Sequence, residues 1–126
     1  MNCPCQSGQS YDRCCGPWHE GPLHLQAPTA VALMRSRYSA FVLDRLDYLL
    51  DTWHLSTRPS KLEPNPPGLK WLGLQIKTHD QTDDNHARVE FVARSRLHGR
   101  AHRLHEVSRF ERVNGVWQYV AGEFID

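Results

Sequence analysis

All four cysteines of this 126-residue chain lie in its opening run, MNCPCQSGQSYDRCCGP, as Cys3, Cys5, Cys14 and Cys15. Thiols crowded into so short a segment must share one ion, pair as disulfides, or act as reactive groups. Thiolates hold Zn²⁺ tetrahedrally at about 2.3 Å, and a loop too short to own a core can be folded by that ion. Adjacent Cys14 and Cys15 cannot bridge one another without strain. A redox dithiol usually shows C-x-x-C, a spacing this run lacks. The starting reading is therefore a four-cysteine zinc knuckle over residues 1–17. Pro4 stiffens the first pair, Ser7-Gly8 offer a turn whose N–H groups point at sulfur, and Gly16-Pro17 end the unit.

A second set of residues could do chemistry further on. Tyr38, His54, Trp71, Glu90, Arg94, Glu106, Arg109 and Tyr119 are read as the lining of a pocket, where a desolvated carboxylate beside aromatic walls could serve as general base. The competing reading pairs Glu90, Arg94, Glu106 and Arg109 across strands as ion pairs that support register only. Arg35-Ser36-Arg37 is read as a solvated helix face, with a polyanion patch as the alternative.

Positioning these groups requires one ordinary domain. Residues 18–27 read as a linker, with His19 and His24 as surface or packing residues. Residues 28–53 read as helix, capped by Thr29, broken near Leu43–Arg45 and restarted with Asp44 as cap. Its apolar face is Ala30, Leu33, Met34, Tyr38, Phe41 and Val42. Four of the eight prolines fall in residues 54–68, so a surface loop follows. Four strands are expected at Lys70–Thr78, Ala87–Leu97, Arg103–Val113 and Val116–Ala121, with connections at His79–Asn85, His98–His102 and the type I′ turn Asn114-Gly115. Helices first and a meander afterwards give an α+β domain over residues 28–126, its helices on one sheet face. Trp53, Trp71 and Trp117 fall at core phases, while Trp18 sits near the knuckle.

Two resemblances sharpen this. CPCQSGQSYDRCC resembles the SEC-C motif, which implies structural Zn²⁺ held by Cys3, Cys5, Cys14 and Cys15 and a surface for docking. LMRSRYSAF, DYLLDTWH, WLGLQI, VEFVAR, HEVSRF and NGVWQYVAGE resemble the YchJ-like family of uncharacterised bacterial proteins. That likeness implies a nuclear-transport-factor-2-like cone, helices packed on a curved antiparallel sheet, and implies no particular reaction.

The net charge of +1 supplies no field to draw nucleic acid or an anionic membrane. No run of about 18 apolar residues and no leader pattern occurs, so a cytoplasmic, reducing location is expected. Two functions remain in view. One is a binding module whose knuckle docks a protein partner through Gln6, Gln9, Asp12 and Arg13 while the cone holds a ligand or partner. The other is a small-molecule enzyme working in the cone. A homodimer through the sheet is also expected, nucleic acid is the weakest partner class, and the knuckle is expected to be an appendage to a body that folds without zinc.

Overall fold

The computed structural model describes residues 1–125. After a 3₁₀ turn at Tyr11–Arg13 come α1 (Gly16–His19), α2 (Ala30–Val42), α3 (Leu46–Asp51), β1 (Lys70–Asp83), β2 (His86–Leu97), β3 (Arg100–Val113) and β4 (Val116–Phe124). The four strands form one antiparallel meander in sequence order. This is the α+β arrangement expected, and its turns follow local chemistry. Asn114 and Gly115 both have left-handed φ, 51° and 80°, as a type I′ turn demands. His98 and Gly99 do the same at 51° and 78°, so β3 begins at Arg100 rather than at Arg103. β1 and β2 likewise run almost to their tip. The polar residues from His79 to Asp83, expected as a connection, are paired strand, because each faces solvent and needs no apolar side chain there.

Period-two alternation sorts the sheet. Ala87, Val89, Phe91 and Ala93 of β2, Glu106, Ser108 and Phe110 of β3, and Trp117 of β4 are buried on the inner face. Register irregularities at Trp71/Gly73, Ile76/Thr78, Gln81/Asp83 and Arg109/Phe110 mark bulges, which bend a sheet and increase its twist.

α2 crosses that inner face. Thr29 caps it as expected, its hydroxyl accepting from Ala32 N at 3.0 Å. The helix is not amphipathic in the ordinary sense. Ser36, Ser39 and Ala40 are as buried as Leu33, because the side turned from the sheet is covered by the N-terminal knuckle and by α3. Small residues let those neighbours approach. Ser36 Oγ donates to Leu33 O and accepts from Tyr48 Oη at 2.7 Å, so neither hydroxyl is left unpaired.

Two sequence expectations are corrected here. Arg37 is not on a solvated face; it is 3% exposed. Asp44 does not cap α3, whose N-cap position is Arg45. Asp44 takes a left-handed φ of 55° and its Oδ1 accepts instead from Asn65 N at 2.9 Å. Asn65 in turn donates to Phe41 O at 2.7 Å and accepts from Trp71 Nε1 at 3.3 Å. One asparagine thus pins the proline-rich loop across the mouth of the cone.

Candidate metal centre and ligand cavity

The knuckle is built by a small antiparallel bridge. Asn2 pairs with Ser10, Cys3 N donates to Gln9 O at 2.9 Å, and Tyr11 N donates to Met1 O at 3.0 Å. This folds Cys3 and Cys5 back onto Cys14 and Cys15, and the four Sγ atoms all lie within 4.8 Å of one another. Cys5 and Cys14 are 3.5 Å apart, Cys14 and Cys15 3.9 Å. A tetrahedron with metal–sulfur bonds of about 2.3 Å has edges near 3.8 Å, so this donor set lies in the range that one ion could gather. All four cysteines are free. The four thiols could hold a metal ion.

Their electrostatics favour that outcome. Interaction with the neighbouring thiols, Cys15 foremost, lowers the Cys5 thiol from its ordinary value. The same contact pushes Cys15 up, and burial raises Cys14. Four close sulfurs cannot all ionise against one another, and a dication at their centre removes that conflict. The expected turn reaches sulfur differently from the way foreseen: the Ser7 hydroxyl lies 3.1 Å from Cys14 Sγ, while Gly8 supplies a left-handed φ of 91°.

The knuckle is docked on the body. Cys3, Cys5 and Cys15 are buried in the same core as Leu33, Tyr38 and Phe91. Arg35 Nη1 donates to Cys5 O at 3.1 Å, and Gln6 Nε2 to Leu72 O at 3.3 Å. A Cβ at Gly73 would fall 2.6 Å from Gln6 Oε1, so the amide end of Gln6 lies directly over that glycine of β1. Residues 18–27 join this packing. His19 is 5% exposed; its Nε2–H donates to Ser36 O at 2.8 Å, and its Nδ1 accepts from Tyr11 Oη at 2.6 Å. That assignment makes it a neutral imidazole, consistent with a pKa lowered by burial. All four residues expected to read a partner, Gln6, Gln9, Asp12 and Arg13, are exposed, and Gln6 also donates to Leu72 O.

On the opposite side of α2, between the helix and the inner sheet face, lies a cavity of about 350 Å³. Its walls are aromatic. Tyr38 and Phe41 of α2 meet Trp71 of β1 with ring centroids 5.7 and 6.2 Å apart, and Trp53 meets Tyr119 edge-on at 5.2 Å. Glu63, Pro64, Asn65 and Pro66 form the rim. Two charged groups reach inside. The Arg37 guanidinium carbon stands 5.0 Å from the Trp53 ring and 4.7 Å from that of Tyr119, and Nη1 donates to Leu49 O and Thr52 Oγ1. Burial pulls Arg37 down to about 10, a value at which it stays charged near neutrality. Glu106, 8% exposed, accepts a hydrogen bond from Ser108 Oγ. Its carboxyl lies directly over Gly122, where a Cβ would fall 2.8 Å from Glu106 Cγ and closer still to the carboxyl atoms. Burial first, and the Glu106 charge second, hold Tyr119 up at about 12.

The structure gathers half of the pocket residues read from the sequence. Tyr38, Trp71, Glu106 and Tyr119 line the cavity. Glu90, Arg94 and Arg109 do not, since alternation puts them on the outer face, opposite Phe91 and Glu106. The expected Glu–Arg pairs are absent among the described residues as well. Glu90 instead meets His105 Nε2 at 2.6 Å, which holds its carboxyl below the usual range. His54 sits outside the cavity, with Ser56 Oγ 2.7 Å from its Nδ1 and Glu111 3.7 Å from its Nε2. Arg37 and Asn65 were missed. The stretch SRY gives no sign that its arginine points inward, and only contacts far along the chain distinguish Asn65 from its polar neighbours.

Comparison with known proteins agrees with both parts. Residues 2–17 match the SEC-C motif, and residues 29–122 match the family described as YchJ, middle NTF2-like domain. A UPF0225 protein of Bordetella pertussis is 64% identical over 96% of this chain and 91% of its own length. One from Methylibium petroleiphilum is 62% identical over 98% and 88%. Among solved structures, a SEC-C motif containing protein from Rhodopseudomonas palustris superposes with a TM-score of 0.81 at 32% identity, covering 100% of both chains. One from Psychrobacter arcticus gives 0.69 at 28% identity, covering 98% of this chain and 80% of the other. With its cysteine cluster docked on an NTF2-like body, the chain belongs to the UPF0225 family of YchJ-like, SEC-C-bearing proteins.

Proposed function

We propose that this protein binds a small molecule in the cone, and that a structural Zn²⁺ in the knuckle braces the helix forming one cavity wall. The observation that carries this is the cavity itself: about 350 Å³, walled by aromatic rings, with Arg37 and Glu106 both buried at its surface. Ligand sites are concave, mostly apolar and furnished with a few placed polar groups. Zinc is the ion assigned because four thiolates in tetrahedral reach suit it and leave no open position, so the metal orders structure and takes no part in chemistry. Metal analysis of protein purified without added ions should return one zinc per chain.

The cavity reading is tested with N-phenylnaphthylamine, a neutral fluorophore that brightens in apolar sites. It should bind the wild-type protein at one site and be lost on filling the cavity by Ala93→Phe, with the far-ultraviolet spectrum unchanged. Equal brightening with both proteins would sink the proposal.

A catalytic use of the same cavity has one observation in its favour: Glu106 is a carboxyl among aromatic rings with no arginine salt bridge among the described residues, a setting that suits a general base. On that reading, Glu106→Gln abolishes turnover and preserves binding. The exposed Gln9, Asp12 and Arg13 are the surface left to the knuckle for docking a protein.

A further inference from the structure

Building on the ligand-cavity reading, we propose that the cone takes a neutral, planar ring system carrying a cyclic amide, its carbonyl on Arg37 and its N–H on Glu106.

Arg37 has hydrogen-bonding capacity left over. Nη1 is used by Leu49 O and Thr52 Oγ1, but Nε and Nη2 find no protein acceptor among the described residues. Neither atom is sealed away from solvent, since among the described residues the buried side-chain atoms left without a partner are the indole nitrogens of Trp53 and Trp117. The guanidinium, on a residue 3% exposed that lines the cavity, therefore keeps donors free of protein acceptors. Glu106 is in the complementary position: one oxygen takes the Ser108 hydroxyl and the Tyr119 phenol neighbours the carboxyl, but a carboxylate has about four acceptor sites, so capacity remains on a side chain 8% exposed. No carboxylate oxygen comes within 4.0 Å of the guanidinium nitrogens among the described residues, so the two groups do not satisfy each other.

Three ligand classes fare badly against this pair. An organic anion would suit Arg37 but bring a second negative charge beside Glu106 in a low-dielectric space. A cation would repeat the fault against Arg37. A purely apolar ring would strip water from both groups and return no hydrogen bond. A neutral molecule with one strong acceptor and one donor leaves the cavity's charge balanced and both groups paired. Planarity follows from the walls, where Tyr38, Phe41 and Trp71 present ring surfaces for stacking. The cyclic amide supplies acceptor, donor and flatness in one neutral group.

The test compares four probes of one shape on the wild-type protein by calorimetry and tryptophan fluorescence: isoquinolone, N-methylisoquinolone, naphthoate and naphthalene. Isoquinolone should bind on the order of tenfold or more tightly than each of the others, because N-methylation leaves the Glu106 acceptor desolvated and unpaired. Glu106→Met should collapse the difference between isoquinolone and its N-methyl form. The wild-type comparison decides even where that variant folds poorly. Equal binding of the N-methyl compound, tighter binding of naphthoate, or failure of isoquinolone where N-phenylnaphthylamine binds would overturn the ligand class and leave the cavity reading standing. Failure of every probe, the fluorophore included, would overturn both.

Discussion

Cys3 Sγ lies 3.5 Å from Ser39 Oγ, and the residue before that serine, Tyr38, is a wall of the cavity. Cysteine cluster and cavity are thus the two sides of one helix. Arg35 reaches Cys5 O from the outer side of α2, while Met34, Arg37, Tyr38 and Phe41 face the sheet. Through this helix a loop with no core of its own is joined to the domain's main core, and the state of the thiols bears on the shape of the cone.

Removal of the metal should therefore destabilise the whole domain. Three of the four cysteines are buried within the shared core, so releasing them uncovers Leu33 and Tyr38 as well as the knuckle. A loss of at least about 2 kcal/mol is expected, or on the order of 5–10 °C in Tm for a chain of this size. Calorimetry of the metal-loaded protein with and without a chelator measures it. An unchanged Tm, with loss of structure confined to residues 1–17, would mean that the knuckle is an appendage after all.

Arg37→Lys should behave as a disruptive substitution despite keeping the charge. A lysine Nζ stops short of Nη1, the one nitrogen that serves both Leu49 O and Thr52 Oγ1, and an ammonium has no plane to pack against Trp53 and Tyr119. We expect a loss of about 2 kcal/mol in urea unfolding, far more than the few tenths typical of an exposed arginine. The comparison residue is Arg100, exposed at the start of β3, where the same change should be neutral.

Much of this was legible in the sequence, and the boundary is physical. The cysteine spacing, the Thr29 cap and the Asn114-Gly115 turn are local devices, each specified by a few adjacent residues. Period-two alternation along β3 puts Glu106 with Phe110 and opposite Arg109. What alternation could not say is that Glu90 and Glu106, both acidic strand residues, serve opposite faces of one sheet; that needs the register Phe91↔Glu106. Ser36 and Arg37 were misread for a related reason. Polar residues on a helix read as solvent-facing unless one knows that a second layer, here the knuckle and α3, covers them.

Gly122→Ala should act through Glu106. The new methyl would occupy the space of the carboxyl, forcing that side chain off Ser108. The expected cost is roughly 1–2 kcal/mol, from a lost buried hydrogen bond and displaced packing. In a Glu106→Ala background the clash is gone, and the same substitution should cost less than about 0.5 kcal/mol. A double-mutant cycle by urea denaturation gives the coupling, and additive effects would remove the claim that Gly122 is kept bare for Glu106.

The tyrosines supply a pH test that is independent of any ligand. Tyr38, Tyr48 and Tyr119 are each held up at about 12 by burial, and Tyr11 is raised in the same way. These are all four tyrosines of the chain. In the unfolded chain they ionise near 10. The native state therefore keeps phenol protons that the unfolded state loses, so stability is whole below about pH 10 and falls as pH rises toward 12. Native protein titrated in alkali should show almost no tyrosinate absorbance at a pH where the same protein in urea is half ionised. Phe110 packs edge-on against Tyr119 at 5.8 Å, and replacing it by alanine should open that wall and bring Tyr119 partway back toward 10. A native titration that already steps near 10 would show that these rings are wet, and the aromatic wall of the cavity would be lost with them.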